Sequence, residues 1–218
     1  GVASARIRPS QESTAPCFDA RVVHVKHSET PDGVITDSRF VERFYRCGDR
    51  VWVERVLPEP NATTAREREH GDPLLPFANF ARDVSRRPGS ADDDSIDLRL
   101  VNRRERSIVL ADEATRQAVG VGTRFDVVAE IVPWSVVSHM RPVARPLNEP
   151  AESLEGRTYA SNESGRSTRV KWSDSLHVTV DYESVADDGK SSERVFLESV
   201  HVRAPGRAPW DDVEGFSQ

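Results

Sequence analysis

Enzyme motifs are missing from this chain of 218 residues, and so are long apolar runs. The sequence contains no GxSxG, no Walker-type glycine loop, no GxGxxG and no HExxH. Serine is plentiful, but none of the serines lies in the sequence context of a nucleophile. We therefore expect a protein that is not an enzyme and that uses no cofactor.

No stretch reaches the run of about 18 apolar residues that a transmembrane helix needs, so no membrane span is expected. The first residues, Gly1 to Pro9, also lack the apolar centre of a signal peptide. Either a signal peptide has been removed or none existed. Residues 1–16 are rich in Ser, Pro, Gln and Glu, and we expect them to be disordered.

Lysine is nearly absent, and the cationic side chains are almost all arginine. Only Lys26, Lys171 and Lys190 break this pattern, while the formal net charge is −6. The negative charge argues against nucleic acid as the main partner. The arginine content is typical of a GC-rich genome, but arginine is also the residue that makes bidentate contacts. The composition leaves both interpretations open.

There are only 2 cysteines, Cys17 and Cys47. They flank two predicted strands, 18–27 and 35–46, which form a hairpin across Glu29–Gly33. Pairing His27 with Ile35 places Cys17 near Tyr45, so Cys47 is within reach if a bulge intervenes. Facing cysteines at the open end of a hairpin suit a disulfide. We expect one here, and with it an oxidising compartment, the periplasm or the cell exterior. Two unpaired buried thiols are the alternative.

Both ends of the chain have the pattern of antiparallel strands. At the start, the pattern predicts three strands over 18–27, 34–46 and 49–57. At the end, it predicts strands over 169–172, 177–183 and 192–202. In 177–183, Val178, Val180 and Tyr182 alternate with polar residues, which is typical of a strand with one buried face.

The middle of the chain is less regular. Residues 58–76 read as a loop, and the spacing of Phe77, Phe80, Ala81 and Val84 predicts an amphipathic helix over 77–84. Two further strands are predicted over 95–101 and 107–110, with Ile96, Leu98 and Leu100 facing inward. The remaining predictions are a helix that Asp112 caps and Gly120 ends, an ambiguous segment 123–132, a helix over 133–140 and a linker over 141–155.

The predicted fold is mainly β, a β-rich α+β arrangement. A curved antiparallel sheet or incomplete barrel carries a few short helices on its concave face. We expect one domain over 17–204 and a C-terminal tail over 205–218.

Three segments give the chain its resemblance to a known family. They are Gly48–Val53, with a Gly-Asp turn before an apolar strand; Val170–Val180, with a strand and an Asp-containing turn; and Glu183–Val200, with an Asp-Gly hairpin. On these, the chain resembles the periplasmic lipoprotein carriers and sigma-factor regulators of LolA-like and RseB-like type. The likeness covers about a third of the chain, 18–57 and 167–202. One departure is His177, where that family commonly has proline.

The resemblance implies a non-catalytic, exported binding protein of the bacterial envelope. Its ligand would be hydrophobic, a lipoprotein or a peptide, and its partners would be lipids or envelope proteins. A cavity for such a ligand needs apolar side chains that point inward from a curved sheet. The alternative is that these side chains simply form a filled core, which is the more common role of any one such residue. The candidates are Trp52, Ile96, Leu98, Leu100, Val178, Val180 and Tyr182.

An alternative hypothesis is an exported accessory protein that binds copper or docks on a redox enzyme. Histidine and methionine are ligands that suit copper. The candidate ligands are His24, His27, His139 and Met140. Residues three apart in a strand point to opposite faces, so His24 and His27 would need a bulge to share one ion.

Overall fold

The computed structural model describes residues 15–57, 80–87, 95–144 and 154–217. The predicted disorder of the N-terminal segment falls almost wholly outside these ranges. The predicted loop 58–76 and most of the predicted linker 141–155 also lie outside the described residues.

One antiparallel sheet of 11 strands forms the body of the protein. Its spatial order is β6-β5-β4-β3-β2-β1-β11-β10-β9-β8-β7, so two meanders meet where β1 pairs with β11. The sheet is curved and is not closed into a barrel within the described part of the chain. The mainly β, incomplete-barrel fold class is therefore confirmed. The strands are β1 (Cys17–Glu29), β2 (Ile35–Cys47), β3 (Arg50–Val56), β4 (Phe80–Arg86), β5 (Ile96–Asn102), β6 (Ser107–Leu110), β7 (Arg141–Val143), β8 (Arg157–Glu163), β9 (Arg166–Ser173), β10 (Val178–Ala186) and β11 (Ser191–Arg203).

In the described ranges, three short helices lie on one face of the sheet, which we call the helix-side face. They are α1 (Glu113–Ala118), α2 (Phe125–Glu130) and α3 (Trp134–Val137). Asp112 caps α1 as predicted, because its carboxylate accepts a hydrogen bond from the backbone N–H of Thr115 at 2.8 Å. The main core lies between the helices and the strands, and Phe125 and Ala129 of α2 are buried in it.

The opposite face, which we call the tail-side face, carries a smaller core. Tyr45, Trp52 and Val101 are buried there beneath the segment that follows β11. This segment forms a 3₁₀ helix over Pro209–Val213 and reaches β6, where Ser217 bridges Ser107. The domain bounds at residues 17 and 204 stay predictions.

The prediction of a helix over 77–84 is wrong for its described part, because Phe80–Arg86 is strand β4 between β3 and β5. Both faces of β4 are covered. Val84 packs in the main core, while Ala81 packs in the tail-side core. A strand covered on both sides loses the alternation of polar and apolar residues, so its spacing resembled that of a helix.

Three other features differ from the predictions. Residues 141–143 form strand β7 rather than linker, and 157–163 form β8, which no pattern had indicated. Residues 125–130, in the segment left ambiguous, are helical. In β10, a bulge between Thr179 and Asp181 interrupts the alternation, so Thr179 is buried rather than facing solvent.

The disulfide between Cys17 and Cys47 is present, with their Cα atoms 4.2 Å apart. The register differs from the one assumed above, because His27 lies opposite Asp37 and Phe18 opposite Arg46. The two cysteines therefore reach each other without a bulge.

Candidate functional site

A groove of about 590 Å³ opens on the helix-side face, between the strands at the centre of the sheet and the connection from α2 to α3. We call it the helix-side groove. Eight of its lining residues are apolar and six are polar. The apolar lining residues are Phe40, Ile131, Val132, Pro133, Val136, Met140, Tyr182 and Val195; the polar ones are His24, Lys26, Glu42, Arg82, Thr168 and Glu193.

Three of the polar residues form a cluster around Glu42, whose side chain is buried. Nε2 of His24 lies 3.0 Å from a Glu42 carboxylate oxygen, and the Arg82 guanidinium donates to the other oxygen. Burial alone would raise the pKa of Glu42, but the charges of Arg82, His24 and Arg55 outweigh it and hold the pKa below its ordinary value. The carboxylate therefore stays ionised, with its charge balanced inside the protein.

Phe40 links this cluster to the apolar wall. The His24 ring stacks on it with centroids 4.3 Å apart, and the Arg55 guanidinium lies 4.4 Å from its centroid. Both contacts follow from the register, because His24 is opposite Phe40 while Arg55 is opposite the neighbouring Glu42. The stacking fixes the orientation of the polar groups at the mouth of the groove.

Ile131 forms the turn from α2 to α3 and has a positive φ of 68°. This conformation is unfavourable for a β-branched residue and costs about 1–3 kcal/mol. Ile131 lines both the helix-side groove and a smaller adjoining cavity of about 200 Å³. The strained residue thus lies between the two cavities.

Arg46 of β2 joins α2 and the turn between β9 and β10 to the sheet through hydrogen bonds. Its guanidinium is buried and donates to the carbonyl oxygens of Ala129 at 3.0 Å and His177 at 2.8 Å, and also to that of Leu176. Burial lowers the pKa of Arg46 to about 10. The side chain remains charged at neutral pH and holds α2 and the turn between β9 and β10 against β2.

The structure separates the residues predicted to bind a ligand. Tyr182 lines the helix-side groove. Trp52 belongs to the core on the other face. The other five are at most 4% exposed within the main core and line none of the cavities described here: Ile96, Leu98, Leu100, Val178 and Val180. Their ligand-binding role stays a prediction.

The candidate copper ligands are dispersed. His24 and Met140 line the same groove, but His27 pairs with Asp37 at 2.6 Å on the other face of β1. Nδ1 of His139 lies 2.7 Å from the carbonyl oxygen of Ser135. Within the described ranges, no group of three or more His, Cys, Asp or Glu side chains is placed to hold a metal ion.

Sequence reasoning missed Phe40, Glu42 and Arg82. A signal was present, because Phe40, Glu42, Phe44 and Arg46 alternate along β2 and so share one face. A carboxylate in a row that otherwise faces the core requires a partner. That partner could not be read from the sequence, since Arg82 lies in the segment predicted to be a helix.

No protein-family model matches this chain, and no curated protein matches it. Similar solved structures include an uncharacterised conserved protein from Thermus thermophilus (8% identity, TM-score 0.43, covering 93% of this chain and 89% of that one). A LolA superfamily protein from Nitrosomonas europaea is similar at 12% identity and a TM-score of 0.36, over 94% and 91% of the two chains. An outer membrane lipoprotein-sorting protein domain from Vibrio parahaemolyticus is similar at 8% identity and a TM-score of 0.38, over 93% of this chain and 91% of that one.

The similar structures thus include the family that the sequence resembles. Their TM-scores lie below 0.5, so the proposals below rest on this chain's own residues. Among the described residues, no helix combines the length and the apolar character needed to cross a membrane.

Proposed function

We propose that this chain is a non-catalytic binding protein of the bacterial envelope that holds a hydrophobic ligand in the helix-side groove. The observation that supports this most strongly is the composition of the groove wall. Apolar side chains from the α2–α3 connection, from α3 and from the sheet line the groove, and the Glu42 cluster forms part of its polar lining. A volume near 590 Å³ is within the range of about 300–1,000 Å³ common for small-molecule sites.

The polar cluster supports binding rather than catalysis. Glu42 is held in its ionised form by Arg82 and His24, so it is poorly suited to take up or release a proton at neutral pH. The cluster is suited to orient the polar end of an amphipathic molecule. The ligand class that fits is a molecule with an apolar chain and a small polar head.

Export is the second part of the proposal, and the disulfide supports it. Bridges such as Cys17–Cys47 persist in oxidising compartments and are rare in the bacterial cytosol. Native mass spectrometry of protein purified without reducing agent addresses both parts. Mass that is lost on denaturation identifies a bound ligand, and a denatured mass lacking the two-hydrogen deficit of the bridge would contradict export.

A pair of matched variants tests the groove itself. Val136→Asp places a charge on the apolar wall, whereas Val109→Asp makes the same change on edge strand β6, outside the described cavities. Both valines are 48% exposed, so the two changes are comparable. The probe is N-phenylnaphthylamine, an uncharged fluorophore that brightens in apolar surroundings.

We expect Val136→Asp to weaken probe binding by about tenfold, because an apolar contact is replaced by a hydrated carboxylate. Val109→Asp should bind like the unmodified protein. Equal binding by all three proteins would show that the groove is not the site. Thermal unfolding curves of both variants establish that they are folded.

A further inference from the structure

A cavity larger than the helix-side groove lies on the tail-side face, away from that groove. It has a volume of about 760 Å³ and is bounded by β1, β2, β3, β11 and the segment after β11. Its lining includes five arginines, in contrast to the net charge of −6 of the whole chain. We call it the arginine cavity.

Three of the five arginines are neutralised in place. Each carboxylate that lines the cavity has an arginine of its own, and the hydrogen bond from Arg203 lowers the pKa of Asp19 below its ordinary value. The pairs are Asp19–Arg203 at 2.7 Å, Glu54–Arg103 at 3.3 Å and Asp212–Arg207 at 2.6 Å. Each carboxylate that lines the cavity is therefore already paired with one of these three arginines.

Arg21 and Arg43 are left over. Both are exposed, both line the cavity, and neither has an ion-pair or hydrogen-bond partner in the part of the chain that the structure describes. They lie directly opposite each other on β1 and β2. Like charges in that position are about 5 Å apart at Cβ and destabilise the sheet. On β11, Glu198 is opposite Arg21, but no ion pair joins them.

Two polar residues of β11 complete this side of the cavity. The register of β11 shifts opposite Ala20, and Ser199 at the shift has a positive φ of 52°. Such bulges are common beside binding sites, because they re-aim side chains. Ser199 and His201 both line the cavity, and Nδ1 of His201 lies 3.9 Å from a carboxylate oxygen of Asp19.

We propose that the arginine cavity binds a phosphate monoester between Arg21 and Arg43. Guanidinium groups bind phosphate oxygens in pairs of parallel hydrogen bonds, and two facing guanidiniums can hold one phosphate group from both sides. A phosphate monoester carries a charge of about −1.5 to −2 at neutral pH, which matches the two uncompensated arginines. The bound anion would convert a repulsive cross-strand pair into a bridged one.

The test is a titration with inorganic phosphate and with glycerol phosphate, followed by NMR of the arginine Nε–H groups. Sodium chloride keeps the ionic strength constant. We expect the signals of Arg21 and Arg43 to shift and saturate. The double variant Arg21→Gln/Arg43→Gln should bind both compounds at least about tenfold more weakly, because charge-assisted hydrogen bonds are lost.

Arg39→Gln is the matched control. Arg39 is exposed on the same face of β2, but it lies outside the cavity and opposite Val25. It should leave phosphate binding unchanged. Equal losses in Arg39→Gln and in the double variant would show general charge attraction and overturn the proposal, as would unchanged binding in the double variant.

The phosphate group could belong to a soluble metabolite or to a lipid. Vesicles of phosphatidylcholine with and without phosphatidic acid distinguish the two sources. Binding that needs phosphatidic acid and is lost in the double variant assigns a lipid head group. Binding of glycerol phosphate without vesicle binding assigns a soluble ligand. Binding of neither probe overturns the site.

Discussion

On the helix-side face, Arg82 and His24 converge on one buried carboxylate, Glu42, and most of the other residues that line the groove are apolar. On the tail-side face the carboxylates are separate, each paired with one arginine, and two arginines remain over. The first arrangement satisfies its charges internally and leaves apolar surface for a ligand. The second leaves positive charge on two arginines that an anionic ligand can neutralise. The comparison places the apolar groove and the proposed anion site on opposite faces of the same sheet.

The largest expected effect is a loss of folding stability from a change on the helix-side face alone. Arg46→Ala removes the guanidinium that donates to three carbonyl groups, two of which are buried. Leaving these acceptors without donors, with a cavity beside them, should lower the free energy of unfolding by about 4–5 kcal/mol. Urea unfolding measures it, and Arg39→Ala on the same strand is the exposed control. A loss below about 1 kcal/mol would contradict the conclusion that Arg46 holds α2 and the turn between β9 and β10 against the sheet.

Glu42→Gln should have the next largest effect, about 3 kcal/mol, because it leaves the Arg82 charge without its partner. The change also has a pH signature. Since the folded pKa of Glu42 lies below its ordinary value of 4.5, the stabilisation is complete above that value and is lost as the pH falls through the folded pKa. Unfolding curves between about pH 6 and pH 3 should converge for the two proteins. Parallel curves would argue against the ion pair.

The tail-side face has a matching test in Trp210→Ala. The Arg50 guanidinium lies 4.6 Å from the Trp210 ring centroid, and Tyr45 contacts it edge-on at 5.2 Å. Loss of these contacts should cost about 2 kcal/mol. Binding of N-phenylnaphthylamine should not change, because the groove proposed to bind it lies on the other face. A change in probe binding would mean that the two faces are coupled.

The smallest expected effect has the opposite sign. Arg21→Gln removes the cross-strand repulsion with Arg43 and should raise the free energy of unfolding by about 0.5 kcal/mol at low salt. The gain should vanish at high salt, because exposed charges are screened. Thermal unfolding at two salt concentrations measures it. Destabilisation at low salt would show that Arg21 has a favourable contact in the folded protein.

The fold could be read from the sequence where one face of a strand is polar. The strand patterns at the two ends of the chain and the cap at Asp112 were sufficient for that. β4 was misread because both its faces are buried, and β8 carried no recognised pattern. The candidate site was harder to predict, since pairs such as Glu42–Arg82 depend on the register of strands that are distant in sequence. A sequence pattern indicates on which face of the sheet a residue lies, but it does not indicate which residue of another strand lies beside it.

The pairing of β1 with β11 joins Cys17 to Arg203 at the centre of the sheet. Contacts between residues so far apart in sequence form slowly, because a long loop must close first. The two meanders, with local turns, can form earlier, and each then exposes one long edge strand until the other arrives. The central seam is therefore the step at which a newly made chain is most open to aggregation or to a chaperone, and the disulfide within the first meander shortens that search.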